Sequence, residues 1–300
     1  MIQWLSSVAG SVSVTASCSL LAYTLVAPNN WTTPQPASRL SFASEASTRL
    51  LSVRNRTVSN VRVKVVEIDL KNPDTLISIG LANNATKANS ARSTRGAESF
   101  RSMVRRFRAA ITINGTFFSM DNQKRVMGNL VSGGRFLKYS PWENYGTTLG
   151  IQSGNRLEMV TARIDGKPQW QRHWFSLTAG PRLLRNGSIS INPRQEGFSD
   201  PAITGVARRS AIGFPNTGDR LLLVTFPQPV TLRKEAQIMR SLGCDQAMNL
   251  DGGTSVALAA GDRVLQSPGR PLTNVITVYD AKFPAPDWLK QSWQEFQTRE

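Results

Sequence analysis

The 300-residue chain has two cysteines, one histidine and four tyrosines, and only 20 acidic residues against 36 basic ones. Cys18 and Cys244 are too few for a disulfide framework, and two thiolates alone make no structural zinc site, which takes four N or S ligands. With His173 as the single histidine, multi-histidine metal sites are excluded and any Ser-His-Asp arrangement rests on one residue. That residue sits in Trp170-Gln171-Arg172-His173-Trp174, a setting that suits packing among aromatics better than proton transfer. A P-loop, a GxGxxG dinucleotide fingerprint, a GxSxG nucleophile elbow and an HExxH zinc helix are all missing, which removes the commonest nucleotide, serine-hydrolase and metalloprotease readings. No internal repeat is visible.

The scarcity of acids leaves a formal charge of +16, which favours a polyanionic partner or surface without choosing among nucleic acid, phosphorylated glycan and anionic lipid. A generally basic protein kept soluble by its charge is the plain alternative. Met1 to Ala27 contains no charged residue and is apolar and serine-rich before Ala27-Pro28. It reads as a cleaved export signal or a weak membrane anchor in contact with the bilayer, although the basic n-region of a signal is absent. Residues 28–59 are rich in Pro, Asn, Ser and Thr and read as a linker.

The folded body is expected from residue 60 to 282. Val61 to Leu70 alternates apolar and polar residues as a half-buried strand does. Phe100, Val104 and Phe107 recur at helical spacing with Arg101, Arg105 and Arg108 on another face, predicting an amphipathic helix with a basic, solvated stripe. Gly133-Gly134, Asn186-Gly187 and Gly261-Asp262 are hairpin signals. Thr231 is expected to cap a helix that buries Leu232, Ala236 and Met239 and stops at Gly243. Residues 283–300 follow Pro284 and Pro286, and Asp287 is expected to cap a last amphipathic helix carrying Leu289, Trp293 and Phe296. The pattern predicts a single α+β domain with mixed, largely antiparallel β-sheets and a few packed helices.

Four glycine-bearing motifs each end a predicted strand: Asn114-Gly115-Thr116-Phe117-Phe118, Ala179-Gly180-Pro181-Arg182-Leu183-Leu184, Arg209-Ser210-Ala211-Ile212-Gly213, and Asn249-Leu250-Asp251-Gly252-Gly253-Thr254-Ser255. Asp251 follows an apolar strand and precedes two glycines that let a ligand approach the backbone, so it suits a general base or nucleophile; a plain Asp-Gly turn is the alternative. Asn249 shares its side of the strand by the two-residue period. Asn114-Gly115 is either a hairpin turn or an amide aimed at sugar hydroxyls, with Phe117 as an apolar wall or as core. Arg208 and Arg209 form either a phosphate fork or an unliganded surface pair. The amide of Gly180 is a further ligand contact, though its motif is mostly structural.

In this order the motifs resemble the phosphodiester glycosidase family, across about residues 60–280 and including Gly128-Asn129-Leu130-Val131, Arg270-Pro271 and Asn274. Thr116 and Thr254 stand where the family has glycine, and Pro227-Gln228-Pro229-Val230 replaces a longer glycine-rich loop. The resemblance implies an α+β fold, an exported protein of the periplasm, envelope or medium, and hydrolysis of a sugar-1-phosphodiester. It implies a site in which Asp251 is the catalytic carboxylate, Arg209 and Arg208 hold phosphate, and Asn114 and Asn249 orient the sugar. Gly115, Thr116, Phe117, Gly180, Gly252 and Gly253 would line it. No cofactor is expected; a divalent cation stays open, since Asp and Asn oxygens suit calcium. The competing functions are a non-catalytic module binding anionic glycans and a nucleic-acid binder supported by charge alone, the latter lacking the interleaved aromatic and basic residues of single-strand binders.

Overall fold

The computed structural model describes residues 50–89 and 96–298, which fall in one compact unit. The apolar segment 1–27 lies outside the described residues, as does most of the expected linker. That linker's last stretch is a strand: β1 (Val53–Val58) pairs along its whole length with β2 (Val61–Asp69). Its polar composition conceals this because β1 lies at the sheet edge, where half of its side chains face water.

After β2 the chain forms β3 (Leu76–Leu81), helix α1 (Phe100–Phe107) and β4 (Ile111–Asn114). The Gly133-Gly134 turn then joins β5 (Leu130–Ser132) to β6 (Arg135–Lys138). Next come β7 (Thr147–Ile151), β8 (Leu157–Thr161) and the short helix α2 (Ala162–Asp165). Beyond β9 (Phe175–Ala179), Asn186-Gly187 closes the hairpin of β10 (Arg182–Arg185) and β11 (Ser188–Ile189) with positive φ at both residues. Helix α3 (Pro201–Thr204) leads into β12 (Ala207–Phe214) and β13 (Arg220–Val230), followed by α4 (Leu232–Ser241) and β14 (Gln246–Asn249). A Gly261 turn joins β15 (Leu258–Ala260) to β16 (Arg263–Gln266), and β17 (Asn274–Tyr279) and α5 (Asp287–Gln297) complete the described chain.

The strands make three sheets: β1-β2-β13-β12-β14-β10-β11, β16-β15-β4-β17-β3, and β6-β5-β9-β7-β8. All of their pairings are antiparallel. The main core, with Ile68, Ile113, Leu177, Ile212, Leu250 and Ile276, draws on every sheet. A second core forms where α4 lays Leu232, Ala236 and Met239 on Val65, Ala211, Val224 and Phe226. Thr231 caps α4 by accepting from the Lys234 amide at 3.1 Å. Helix α5 is not capped by the Asp287 side chain, which lies in its first turn behind Pro286. Its Leu289 is fully buried and Trp293 packs against Trp174 with tilted rings whose centroids are 4.7 Å apart, so apolar contact holds it.

Candidate active site

Three asparagines tie the strand ends together. Asn114, closing β4, donates to the Asp251 carbonyl at 2.7 Å, and its Oδ1 accepts from Ser210 Oγ at 2.8 Å and the Ala257 amide at 3.0 Å. Asn249, closing β14, donates to the Gly180 carbonyl at 2.8 Å, and the Gly180 amide returns a bond to the Asn249 carbonyl. Asn274, opening β17, accepts from the Thr116 amide at 2.8 Å and donates to the Thr116 carbonyl at 3.1 Å. It lies so close that a Cβ on Gly115 would stand 2.0 Å from its Oδ1. A buried amide that both donates and accepts satisfies backbone groups that no strand partner reaches. Asn114, Asn249, Gly115 and Thr116 thus meet around the Asp251 turn as a scaffold, with Asn249 Oδ1 lacking a partner among the described residues.

Several expected ligand contacts belong to this scaffold. Phe117 is buried against Phe198 at 5.7 Å, so it is core. The Gly180 amide is spent on Asn249, and Thr116 Oγ1 donates to the Thr178 carbonyl at 2.6 Å. Arg209 departs furthest from expectation. It is 1% exposed, it donates to the carbonyls of Val230, Ile203 and Gly205, and its Nε lies 3.8 Å from Glu235 on α4. The pleat of β12 sends Arg209 and Ala211 to the α4 face and Ser210 to the Asn114 face. Arg209 is therefore not a phosphate ligand, whereas Arg208, two residues before Ser210, belongs to the face that carries Asp251. The Arg208 carbonyl lies 2.8 Å from where a Cβ on Gly252 would be, so glycine is required there for the turn to seat on β12.

The cation that meets Asp251 is Arg270. Its Nη2 lies 3.1 Å from Asp251 Oδ2 and 3.5 Å from Oδ1, and its Nε donates to Ser255 Oγ at 2.7 Å. Phe118 supports the guanidinium from one side, its ring centroid 4.4 Å from Arg270 Cζ. Burial pushes the Asp251 carboxyl above its ordinary range, and Arg270, Ser255 and the Gly252 amide oppose the rise. Thr254 is exposed; its carbonyl accepts from the Gly269 amide at 2.7 Å, and its side chain packs beside Gly269 in the loop that carries Arg270. Beside Gly253, with φ +58°, there is open space.

A second buried carboxylate, Glu196, was not anticipated. It accepts from the Arg182 amide at 2.9 and 3.0 Å and from Thr147 Oγ1 at 2.9 Å, beneath the Gly180-Pro181 turn. Burial pushes its carboxyl up to about 7. His173 is buried with Nε2 2.5 Å from Glu158, away from the strand-end motifs in sequence and in its contacts. Among the described residues, no group of three or more His, Cys, Asp or Glu could hold a metal ion. The signal for Arg270 was the Arg270-Pro271 pair ahead of Asn274; for Ser210 and Glu196 no local pattern separates them from ordinary strand and loop residues.

The sequence profile of the phosphodiester glycosidase family matches residues 107–279, which hold Asn114, Arg208, Asp251, Arg270 and Asn274. The chain belongs to the phosphodiester glycosidase family. No curated protein matches it by sequence. Among solved structures, it is similar to the catalytic domain of zebrafish N-acetylglucosamine-1-phosphodiester alpha-N-acetylglucosaminidase, auto-inhibited by pro-peptide. The two share 15% identity over 78% of this chain and 85% of the zebrafish one, with a TM-score of 0.59. A hypothetical protein from Synechocystis is 20% identical with a TM-score of 0.57 over 77% of this chain, which spans 62% of that protein's length. At these identities the likeness is one of fold, and family and fold together point to a phosphodiester glycosidase-like hydrolase.

Proposed function

We propose that the protein is an exported hydrolase that cleaves the bond between the anomeric carbon of a sugar and a phosphodiester, with Asp251 as its carboxylate and Arg270 as its phosphate-binding cation. The observation that carries this reading is the buried Asp251 carboxylate paired with a partly exposed Arg270 where three motif turns are tied together. The uncharged apolar stretch from Met1 to Ala27 supports export.

The chemistry asks little of a general acid. A phosphate monoester leaves as a stable anion of low basicity, so a guanidinium that meets the developing charge takes the place of a proton donor. Arg270 is suited to this because its planar fork can move from Asp251 to a substrate phosphate. Asp251 then takes the proton from a water that attacks the anomeric carbon as the C1–O bond breaks, or attacks that carbon itself to give a glycosyl-enzyme that water cleaves. Ser255 orients Arg270 beside the carboxylate in either case, accepting from its Nε at 2.7 Å. Asn114 and Asn249 act as positioning residues, since their amides are spent on backbone groups of the turns.

The test is hydrolysis of a chromogenic sugar-1-phosphodiester by the wild type and by Asp251→Asn. The variant should lose turnover while its thermal midpoint stays within a few degrees. Retained turnover would remove Asp251 from the chemistry, and tight binding without turnover by the wild type would make the protein an anionic-glycan-binding module.

A further inference from the structure

Strand register carries the Asp251 face of the first sheet outward to its edge. Asn55 of β1, Lys64 of β2, Thr225 of β13 and Ser210 of β12 stand in one cross-strand row. Ser210 bonds Asn114, so this row lies on the face that holds the Asp251 turn. One pleat step along, Thr57 pairs with Arg62 in the same manner, and Arg208 stands two residues before Ser210. A groove of about 550 Å³ opens here, lined by Arg56, Arg62, Lys64, Pro227 and Gln266 among others, and none of its lining residues is acidic. Among the described residues, Lys64 Nζ is held by the neutral Asn55 side chain alone, at 3.0 Å.

Two features join this groove to the site. Gln266 closes β16 four residues before Arg270, so the loop carrying the phosphate-binding cation begins at the groove wall. On the other side, β13 passes through Pro227 and Pro229 and, after the single residue Thr231, enters α4, so no loop from that connection overhangs the rim. Adjacent strands are about 4.8 Å apart, which sets Ser210 on β12 and Lys64 on β2 about 10 Å apart across Thr225 of β13; beyond this row the β12–β13 register shifts between Ala207 and Arg209. A run of cations that meet no acidic group among the described residues, leading away from one carboxylate, fits a ligand with regularly spaced negative charges.

We propose that the substrate is a polymer of sugar-phosphate repeats whose further phosphates bind along Arg208, Arg62 and Lys64 while the scissile linkage lies at Asp251. This rests on the hydrolytic reading of Asp251 for its catalytic half, and on the groove alone for its binding half. Sugar rings between the charges would meet the uncharged surface of Thr57, Pro227 and Gln266. A single phosphodiester would reach Arg270 but none of the cations of the β1–β2 hairpin.

Binding of defined oligo(glycosyl phosphate)s of one and six repeats is measured calorimetrically on full-length Asp251→Asn, and hydrolysis of both on the wild type. Six repeats should bind at least about tenfold tighter than one, with a steeper salt dependence, because each further phosphate adds a charge contact and releases counterions. Adding Arg62→Ala and Lys64→Ala should bring the two affinities to within about twofold of each other. Equal affinity for both lengths, or a length effect that survives the double substitution, would overturn the proposal. Tighter binding of a single-stranded oligonucleotide of equal charge would overturn it in favour of nucleic acid. Length-dependent binding with hydrolysis of neither oligomer would uphold the groove and refute the hydrolase.

Discussion

Replacing Arg209 by Met separates a structural from a chemical role for the arginine of the third motif. The guanidinium donates to Val230 at 3.5 Å, to Ile203 at 2.8 Å and to Gly205, and faces Glu235 at 3.8 Å. Glu235 is fully buried, and neither of its oxygens accepts a hydrogen bond among the described residues. Removing one partner of a buried pair costs about 3–5 kcal/mol because the other charge is left without compensation. Here the low end applies, since burial already pushes the Glu235 carboxyl up to about 8 and a proton can neutralise it. Arg209→Met should therefore lose about 3 kcal/mol in urea denaturation at pH 7. Adding Glu235→Leu, which faces the apolar cluster under α4, should restore about 2 kcal/mol while kcat/KM stays within about threefold of the wild type. A double variant as stable as the wild type but about a hundredfold less active would refute the reasoning, because an arginine confined to the α4 face cannot touch substrate.

Arg270→Gln should lower kcat/KM about a hundredfold and move the acid limb of the pH–rate profile to higher pH, because Arg270 opposes the upward push that burial gives Asp251; an unmoved limb would deny their coupling. Gly115→Ala should cost about 1–3 kcal/mol by driving a methyl into Asn274, and Asn274→Ala in the same chain should cost less than the sum, as a double-mutant cycle in urea would register. Glu196 has its folded value raised to about 7 from 4.5, so its proton-linked stability is fully present below about pH 4.5 and lost as pH rises through 7. The stability of the wild type relative to Glu196→Gln should accordingly fall between pH 5 and pH 8; a rise over that window would contradict the burial of this carboxyl.

Much of the fold was legible because local patterns and tertiary packing agree. Thr231 caps α4 and Asn186-Gly187 turns β10 into β11 as their residue types require, and Leu289, Trp293 and Phe296 place α5 on the core by period alone. The site was legible only in part. Asn114-Gly115 and Asp251-Gly252 were open to a hairpin reading, and neither is one: each leaves its strand into a turn that the other's backbone holds, the Asp251 amide donating to the Gly115 carbonyl at 3.2 Å. That contact joins residues far apart in the chain, and no local preference encodes it.

The sequence by itself determined the family, the α+β class, three of the four motif turns and the surplus of positive charge, because each rests on short-range rules of glycine, periodicity and composition; the third motif, Arg209–Gly213, ends no strand and is the interior of β12, its Gly213 packed close against the Gln246 carbonyl of β14. Only the tertiary structure decided which arginine serves Asp251. In β12 both faces are buried, so the alternation that ordinarily separates inside from outside is silent, and Arg208, Arg209 and Arg270 look alike until β13, β14 and α4 assign the faces. Packing then spends Arg209 on the carbonyls of Val230, Ile203 and Gly205 under the helix and leaves Arg270 beside the carboxylate.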